Sequence, residues 1–123
     1  DLALSLFDAV GLDPSPEVRV AVLHAVSSMC PRGSTEGVAA CVDGCTDPSD
    51  TVRRAAVEGL TRLSFKGDKA AVHAGMVLLE DPSPVVRLAA METVAGVAQK
   101  GDESVCAAIV ARVQTETGRS VRV

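Results

Sequence analysis

The stretch DPSDTVRR, residues 47–54, decides how this chain is organised. Close copies flank it on both sides, DPSPEVRV at residues 13–20 and DPSPVVRL at residues 81–88. The copies begin at Asp13, Asp47 and Asp81, so the step from each to the next is constant. A short phrase that returns at a fixed step of this size is typical of proteins that stack one supersecondary unit on the next. The sequence therefore predicts a repeat architecture.

Each unit opens with a predicted helix. The Asp-Pro pair disfavours helical geometry at the Asp, so the preceding helix should end there. In the second unit, Ser49 follows at the position from which a side chain caps the next helix. Apolar residues then recur at helical spacing for about four turns. They are Val52, Ala55, Ala56, Gly59, Leu60 and Leu63.

A second predicted helix completes each unit. A glycine stops the first helix at Gly33, Gly67 and Gly101, which follow one another at the same constant step. Glycine at such a stop is typical of a left-handed helix ending. The next residue is a good N-cap for a second helix in every unit: Ser34, Asp68 and Asp102. Each unit is thus predicted as helix, glycine turn, helix and tight Asp-Pro turn.

The repeat boundaries follow from the constant step. We expect the second helix of a truncated unit, three complete repeats and the start of a further one, over residues 1–12, 13–46, 47–80, 81–114 and 115–123. Terminal units of repeat arrays carry polar capping faces, and none is visible, which predicts an internal segment of a longer solenoid. The predicted fold class is all-α: an α-solenoid of antiparallel helix pairs wound as a right-handed superhelix.

Composition and charge narrow the possible functions. The formal net charge of −4 argues against a nucleic-acid partner, which requires clustered Lys and Arg. No apolar run reaches the roughly 18 residues of a membrane span, and no secretory signal is visible. The chain has two Phe, no Tyr and no Trp, so Ala, Val and Leu must fill its core.

The four cysteines admit two interpretations. Cys41 and Cys45 are four residues apart and share a helix face, as half of a metal site would. Alternatively, they act as small buried hydrophobes. Mostly apolar residues hold the matching positions of the other units, which favours core packing: Gly75, Leu79, Ile109 and Val113. We therefore predict no metal and no cofactor, and an intracellular, reducing compartment, whether cytosol, nucleus or organelle interior.

Aspartate and arginine recur at one register in all three units. Each Asp precedes an Arg by six residues: Asp13, Asp47 and Asp81 before Arg19, Arg53 and Arg87. A cation in the first turn of a helix is poorly placed for the helix dipole, so a compensating partner is expected. Stacking brings successive turns side by side, and arginine offers several fixed donors. This pattern predicts a structural Asp–Arg ladder between units; the alternative is solvated arginines without partners.

With two helices per unit, Asp-Pro at the turn and a Val-Arg pair in the first helix, the chain resembles HEAT repeats. Its short unit and Gly-Asp turn are similar to the HEAT-like repeats of phycobilisome-lyase-related proteins. The resemblance covers residues 13–114 closely. It implies a structural role for the recurring Asp and Arg residues. It also implies that the second helices line the concave side of the solenoid.

The outward positions of the second helices form the candidate partner surface. They are small and lightly charged: Ala39, Asp43, His73, Val77, Ala107 and Ala111. Such a face allows a partner helix to approach closely, although the alanines could also serve only as good helix formers. We predict a non-catalytic protein–protein interaction scaffold or assembly subunit, with protein partners in a larger complex.

Enzymes built on HEAT-like repeats remain the alternative. Iron-dependent hydroxylases of this kind use His-Glu pairs, but neither His24 nor His73 precedes a Glu. DNA glycosylases of this kind need a cationic groove and aromatic contacts, which the acidic balance and the missing Trp and Tyr disfavour. No catalytic residue is predicted. A bilin-lyase-like or other HEAT-like enzyme subunit stays open as the second hypothesis.

Overall fold

A computed structural model describes residues 13–121, with side chains described as far as residue 116. The predicted second helix in residues 1–12 lies outside the described residues. Over the described range the chain forms helices and no strand. The helices are α1 (Pro16–Met29), α2 (Thr35–Gly44), α3 (Asp50–Leu63), α4 (Lys69–Leu78), α5 (Pro84–Val97) and α6 (Glu103–Val121). The predicted all-α solenoid of helix pairs is confirmed, while the superhelix handedness stays a prediction.

The first helices begin differently from the way the sequence predicted. Ser49 occupies the N-cap of α3, but its side chain accepts no capping hydrogen bond. The Ser49 backbone N–H instead donates to Oδ1 of Asp47 at 2.9 Å. Ser15 and Ser83 repeat this arrangement. The capping prediction for Ser49 was therefore wrong, because the Asp of the Asp-Pro pair already organises the turn with its own carboxylate.

The second helices begin as predicted. The Ser34 hydroxyl accepts a hydrogen bond from the Gly37 N–H at 3.1 Å. Asp68 Oδ1 accepts one from the Ala71 N–H at 3.0 Å. Asp102 does the same in the third unit with the Val105 N–H, at 3.2 Å. These caps satisfy backbone donors that the first turn of a helix leaves unpaired.

The glycine turn also differs in detail from the prediction. Gly33, Gly67 and Gly101 have the expected positive φ, between 83° and 89°. The first helices, however, end four residues earlier, at Met29, Leu63 and Val97. The N–H of Gly33 donates to the Leu63 carbonyl oxygen at 2.6 Å, and the Gly67 N–H donates to that of Val97 at 2.6 Å. Each of these two glycines therefore joins one unit to the end of the next first helix.

The core lies between the layer of first helices and the layer of second helices. Helices α1, α3 and α5 pack side by side, while α2 packs on α3 and α4 packs on α5. The six apolar positions predicted for α3 are all buried, as are the six equivalent positions of α5. The equivalent apolar face of α1 is more exposed to solvent, with Val18 42% and Met29 62% exposed. Within the described residues, α1 has a first-helix neighbour on one side only.

Helix α6 continues through the position where the period places a repeat boundary. It runs unbroken from Glu103 to Val121, so no turn separates residues 114 and 115. The other units read Asp-Pro-Ser at this point, whereas residues 115–117 read Thr-Glu-Thr and contain no proline. Nothing in the sequence therefore breaks the helix there. The division of the chain into repeat units stays a prediction.

Candidate protein-interaction surface

The recurring arginines connect consecutive turns. Arg19 donates from Nε to Oδ2 of Asp47 at 2.8 Å and from Nη2 to Oδ1 at 3.0 Å. Arg53 contacts Asp81 in the same way, at 2.8 Å and 3.1 Å. Each guanidinium therefore binds the carboxylate of the next Asp-Pro turn along the chain.

The same arginines also donate hydrogen bonds to the backbone of the Asp-Pro turn that opens their own unit. Nη1 of Arg53 donates to the backbone carbonyl oxygen of Asp47 at 2.8 Å. Arg19 does so to Asp13 at 2.7 Å, and Arg87 to Asp81 at 2.8 Å. The six-residue spacing in the sequence thus reflects a contact to the backbone, and the carboxylate comes from another unit. The carboxylate of Asp13 accepts a hydrogen bond from the Ser15 N–H at 2.8 Å.

The last of these arginines has a partner that the sequence pattern did not indicate. Arg87 donates from Nε to Oε1 of Glu116 at 2.5 Å. The constant step that relates Asp47 to Asp81 leads next to residue 115, which is Thr. Glu116, one residue later and one methylene longer, reaches Arg87 from α6. The sequence feature that could have indicated this contact is an acidic residue directly after position 115, where the period places the next Asp.

A buried arginine in the middle of α6 was also missed. Arg112 is 6% exposed and occupies a position where the earlier units have Gly44 and Leu78. Its Nη1 donates to the Leu79 carbonyl oxygen at 3.2 Å and to Oε2 of Glu80 at 2.8 Å. A cation at this carbonyl complements the dipole at the C-terminal end of α4. A charged residue in an otherwise small or apolar column was the available sequence signal.

The ion pairs alter the protonation behaviour of their members. Burial acts to raise the pKa of Asp47, but the hydrogen bonds from Arg19 and the Ser49 N–H outweigh it. The pKa of Asp47 therefore lies below its ordinary value. The hydrogen bond to Asp47 in turn raises the pKa of Arg19. Both groups stay charged at neutral pH, and their contacts fit a role in joining turns.

The second-helix face consists of the outward positions of α2, α4 and α6. Its members are the six candidate residues of the second helices, and all six are exposed: Ala39, Asp43, His73, Val77, Ala107 and Ala111. They form two rows, since each row takes the same position from α2, α4 and α6. Val77, a member of this face, is 57% exposed. The face therefore presents apolar surface between small side chains.

Two grooves cross this face. The α2–α4 groove has a volume of about 370 Å³, with Val38 and Val42 at its base and Asp43 at its rim. The α4–α6 groove has a volume of about 420 Å³, with Val72 and Met76 at its base. These base residues hold equivalent positions in consecutive units. The two grooves thus share a pair of equivalent apolar residues.

Comparison with known families identifies the repeats. The sequence profile of a protein family described as HEAT repeats matches residues 38–123, which is more than half of the chain. The chain belongs to the HEAT-repeat family. HEAT repeats are commonly protein-interaction scaffolds. A comparison with curated proteins finds no match.

The first-helix side of this HEAT chain holds a third groove. Its volume is about 390 Å³, and it runs across α1, α3 and α5. His24, Glu58 and Glu92, which the period aligns in one column, line it together with Arg62. Charges of both signs and hydroxyl groups give this groove a polar character.

The cysteines of the HEAT chain are all free thiols. Burial raises the pKa of the Cys41 thiol to about 11 and that of Cys45 to about 12. Both side chains lie in the core, as the packing interpretation predicts. Among the residues that the structure describes, no group of three or more His, Cys, Asp or Glu side chains could hold a metal ion. None of the helices in this range is both long and apolar enough to cross a membrane.

Proposed function

We propose that this chain is a non-catalytic protein-interaction module that binds a protein partner through the second-helix face. The observation that carries the proposal is the exposed apolar surface of that face, where Val77 is 57% exposed and two grooves include Val38, Val42, Val72 and Met76 in their lining. Solvent-facing surfaces without a partner usually carry more Lys and Glu. A partner that covers this surface gains about 25 cal/mol for each Å² of apolar area removed from water.

The chemistry of the face favours a broad contact. Binding hot spots are enriched in Trp and Tyr, and the chain has neither. Affinity must then come from many modest contacts spread over several units, which a stack of repeats supplies on one continuous surface. This supports a role as a subunit or scaffold in a larger complex.

The same arrangement gives less support to an enzyme role. His24 lies in the first-helix groove, while His73 lies on the second-helix face, so the two histidines of the chain do not share a groove. A bilin-lyase-like subunit would have to enclose a large ligand, and the three grooves described above are open to solvent. No contact in the described residues favours that alternative.

The experiment compares two matched substitutions. Val77→Glu places a charge on the second-helix face, and Val85→Glu places the same charge on an exposed valine of α5, 47% exposed. Tagged native and variant chains are used to capture partners from an extract of the source cells, after circular dichroism has shown that each variant is folded. We expect Val77→Glu to reduce capture of the main partner at least tenfold, because a buried unpaired charge is costly. Val85→Glu should leave capture unchanged.

Two further variants test the same proposal. Ala111→Glu should lose binding as Val77→Glu does, whereas His73→Ala should bind within a few-fold of the native chain. Normal capture by folded Val77→Glu and Ala111→Glu chains would show that the partner binds elsewhere. Loss of a catalytic activity in His73→Ala or Cys41→Ala, with those two glutamate variants active, would favour an enzyme.

A further inference from the structure

We infer that the partner segment is both basic and apolar: a Lys or Arg of the partner binds the Asp43 carboxylate, and a neighbouring apolar side chain enters the α2–α4 groove. The inference rests on the proposed function, since it names the chemistry of the ligand that the second-helix face takes.

The α2–α4 groove differs in charge from the other two grooves. Among the described residues that line it are Asp43 and Asp68, and none of these residues is Lys, Arg or His. Lys69 and His73 line the α4–α6 groove, and Arg62 lines the first-helix groove. A cleft whose charges have one sign raises the local concentration of ligands of the opposite sign. Of the three grooves, the α2–α4 groove therefore favours a cationic ligand most.

Asp43 is an exposed carboxylate that the rest of the described chain leaves without a partner. Within residues 13–116, no hydrogen bond or ion pair involves this carboxylate, and the Thr46 hydroxyl donates to the backbone carbonyl oxygen of Asp43 instead. Other aspartates have structural contacts, since Asp47 binds Arg19 and Asp68 caps α4. The Asp43 carboxylate is thus free to bind a cation of another molecule.

The position of Asp43 in its helix adds to this attraction. It lies in the last turn of α2, where the helix dipole is negative, and that turn contains no basic residue. One unit later, Arg112 of α6 contacts the corresponding end of α4 by donating to the Leu79 carbonyl oxygen at 3.2 Å. The residue of α4 equivalent to Arg112 is Leu78, which is buried and uncharged. Helix α4 therefore supplies no cation to the end of α2, and a ligand can supply one.

The same groove accepts an apolar side chain. Its lining includes Val38, Ala39, Val42 and Ala70. Ala39 and Ala70 are exposed and Val42 is half-buried, so part of this apolar lining is accessible. A Leu or Ile side chain that covers the lining removes apolar area from water. It also excludes water from the neighbouring contact with Asp43, and an ion pair is stronger where less water surrounds it.

The first test uses synthetic peptides that differ only in charge or in apolar content. The probes carry Leu-Lys-Leu-Lys-Leu, Leu-Gln-Leu-Gln-Leu, Leu-Glu-Leu-Glu-Leu or Ser-Lys-Ser-Lys-Ser between identical Gly-Ser flanks. Nuclear magnetic resonance titration of the full chain measures weak affinities and locates the shifted amides. We expect the Leu-Lys probe to bind at least threefold more tightly than each of the other probes, with the largest shifts in α2 and α4.

Charge reversal tests the role of Asp43. Asp43→Lys should invert the preference, so that the Leu-Glu probe binds more tightly than the Leu-Lys probe. The melting temperature of this variant should not fall, because a cation suits the last turn of a helix. Asp43→Asn, the milder change, should make the affinities of the Leu-Lys and Leu-Gln probes equal within twofold.

Glu92→Lys provides the matched control. It makes the same change in net charge at an exposed position of α5, in the first-helix groove. This variant should keep the native order of the four probes. The comparison separates a contact at Asp43 from the general attraction of a basic peptide to a chain of formal net charge −4.

Three outcomes would overturn the inference: no saturable binding of the Leu-Lys probe, equal binding of the Leu-Lys and Leu-Gln probes by the native chain, or an unchanged order of the probes with folded Asp43→Lys. Partner capture distinguishes this failure from that of the proposed function. If Val77→Glu abolishes capture while Asp43→Lys captures normally, the proposed function stands and only the basic ligand is wrong. If Val77→Glu leaves capture unchanged, the proposed function itself fails.

Discussion

Arg53 donates to both carboxylate oxygens of Asp81, from Nε at 2.8 Å and from Nη2 at 3.1 Å. Its Nη1 donates at the same time to the Asp47 carbonyl oxygen at 2.8 Å. One side chain thereby joins the turn that opens its own unit to the turn that opens the next. Arg19 makes the same set of contacts one unit earlier, so the connection is periodic.

Removal of Arg53 should destabilise the fold. Arg53→Ala leaves the Asp81 side chain, only 5% exposed, without its charged partner. We expect the free energy of unfolding to fall by about 1–3 kcal/mol, because a buried acceptor loses its hydrogen bonds. Arg62→Ala, at an exposed arginine of the same helix, should change it by less than about 0.5 kcal/mol. Urea denaturation measures both; equal, near-zero losses would refute the structural role of the ladder.

The periodic sequence identified Asp and Arg as recurrent but did not predict how they pair, and it did not indicate Glu116. Equal spacing identifies Asp and Arg as recurrent, yet it does not distinguish a backbone carbonyl in the arginine's own turn from a carboxylate in the next turn. Only the packing of successive turns decides between them. Glu116 is a second example of a contact that the period does not predict. It lies one residue outside the strict period and reaches Arg87 because α6 remains helical at that point.

The glycine turns should differ in their tolerance of alanine. Gly33 and Gly101 both have positive φ, so a Cβ atom at either costs about 1–2 kcal/mol. At Gly33 that atom would also overlap the Phe65 ring, whereas at Gly101 it would meet no atom within 4 Å. Gly33→Ala should therefore lower the free energy of unfolding more than Gly101→Ala. Urea denaturation measures both free energies of unfolding. A larger loss for Gly101→Ala than for Gly33→Ala would contradict this prediction.

Acid should weaken the contact between Arg19 and Asp47. The pKa of Asp47 lies below its ordinary value, so this carboxylate stabilises the fold at neutral pH and loses that contribution as the pH falls below about 4. Asp47→Asn removes the titrating group. The decrease in unfolding free energy between about pH 5 and about pH 3 should then be smaller than in the native chain. Identical decreases in the two proteins would show that Asp47 is not coupled to folding.

The thiols should react in the order of their accessibility. Burial raises the pKa of Cys41 to about 11 and that of Cys45 to about 12, so neither forms much thiolate at about pH 8. Cys106 is exposed. Iodoacetamide should label Cys106 in the folded chain, and label Cys41 and Cys45 only after denaturation. Mass spectrometry of the labelled peptides checks this, and rapid labelling of Cys41 in the folded chain would contradict it.

Helical spacing was sufficient to predict which side chains of the second helices face outward. Ala39, Val77 and Ala107 are exposed as expected, because their positions depend only on the phase of each helix. The two grooves could not be predicted in this way. They depend on how much of Val42 and Met76 the neighbouring helices leave accessible to solvent, and this is decided by the packing of the second helices.

The most direct measurement places a photo-crosslinking amino acid on each side of the layer of helices. Benzoylphenylalanine replaces Ala107, on the second-helix face, or Glu92, in the first-helix groove, and both residues are exposed. The complex of the full chain with its captured partner is then irradiated and analysed by mass spectrometry. We expect a cross-link to the partner from position 107 and none from position 92. A cross-link from position 92 alone would contradict binding through the second-helix face.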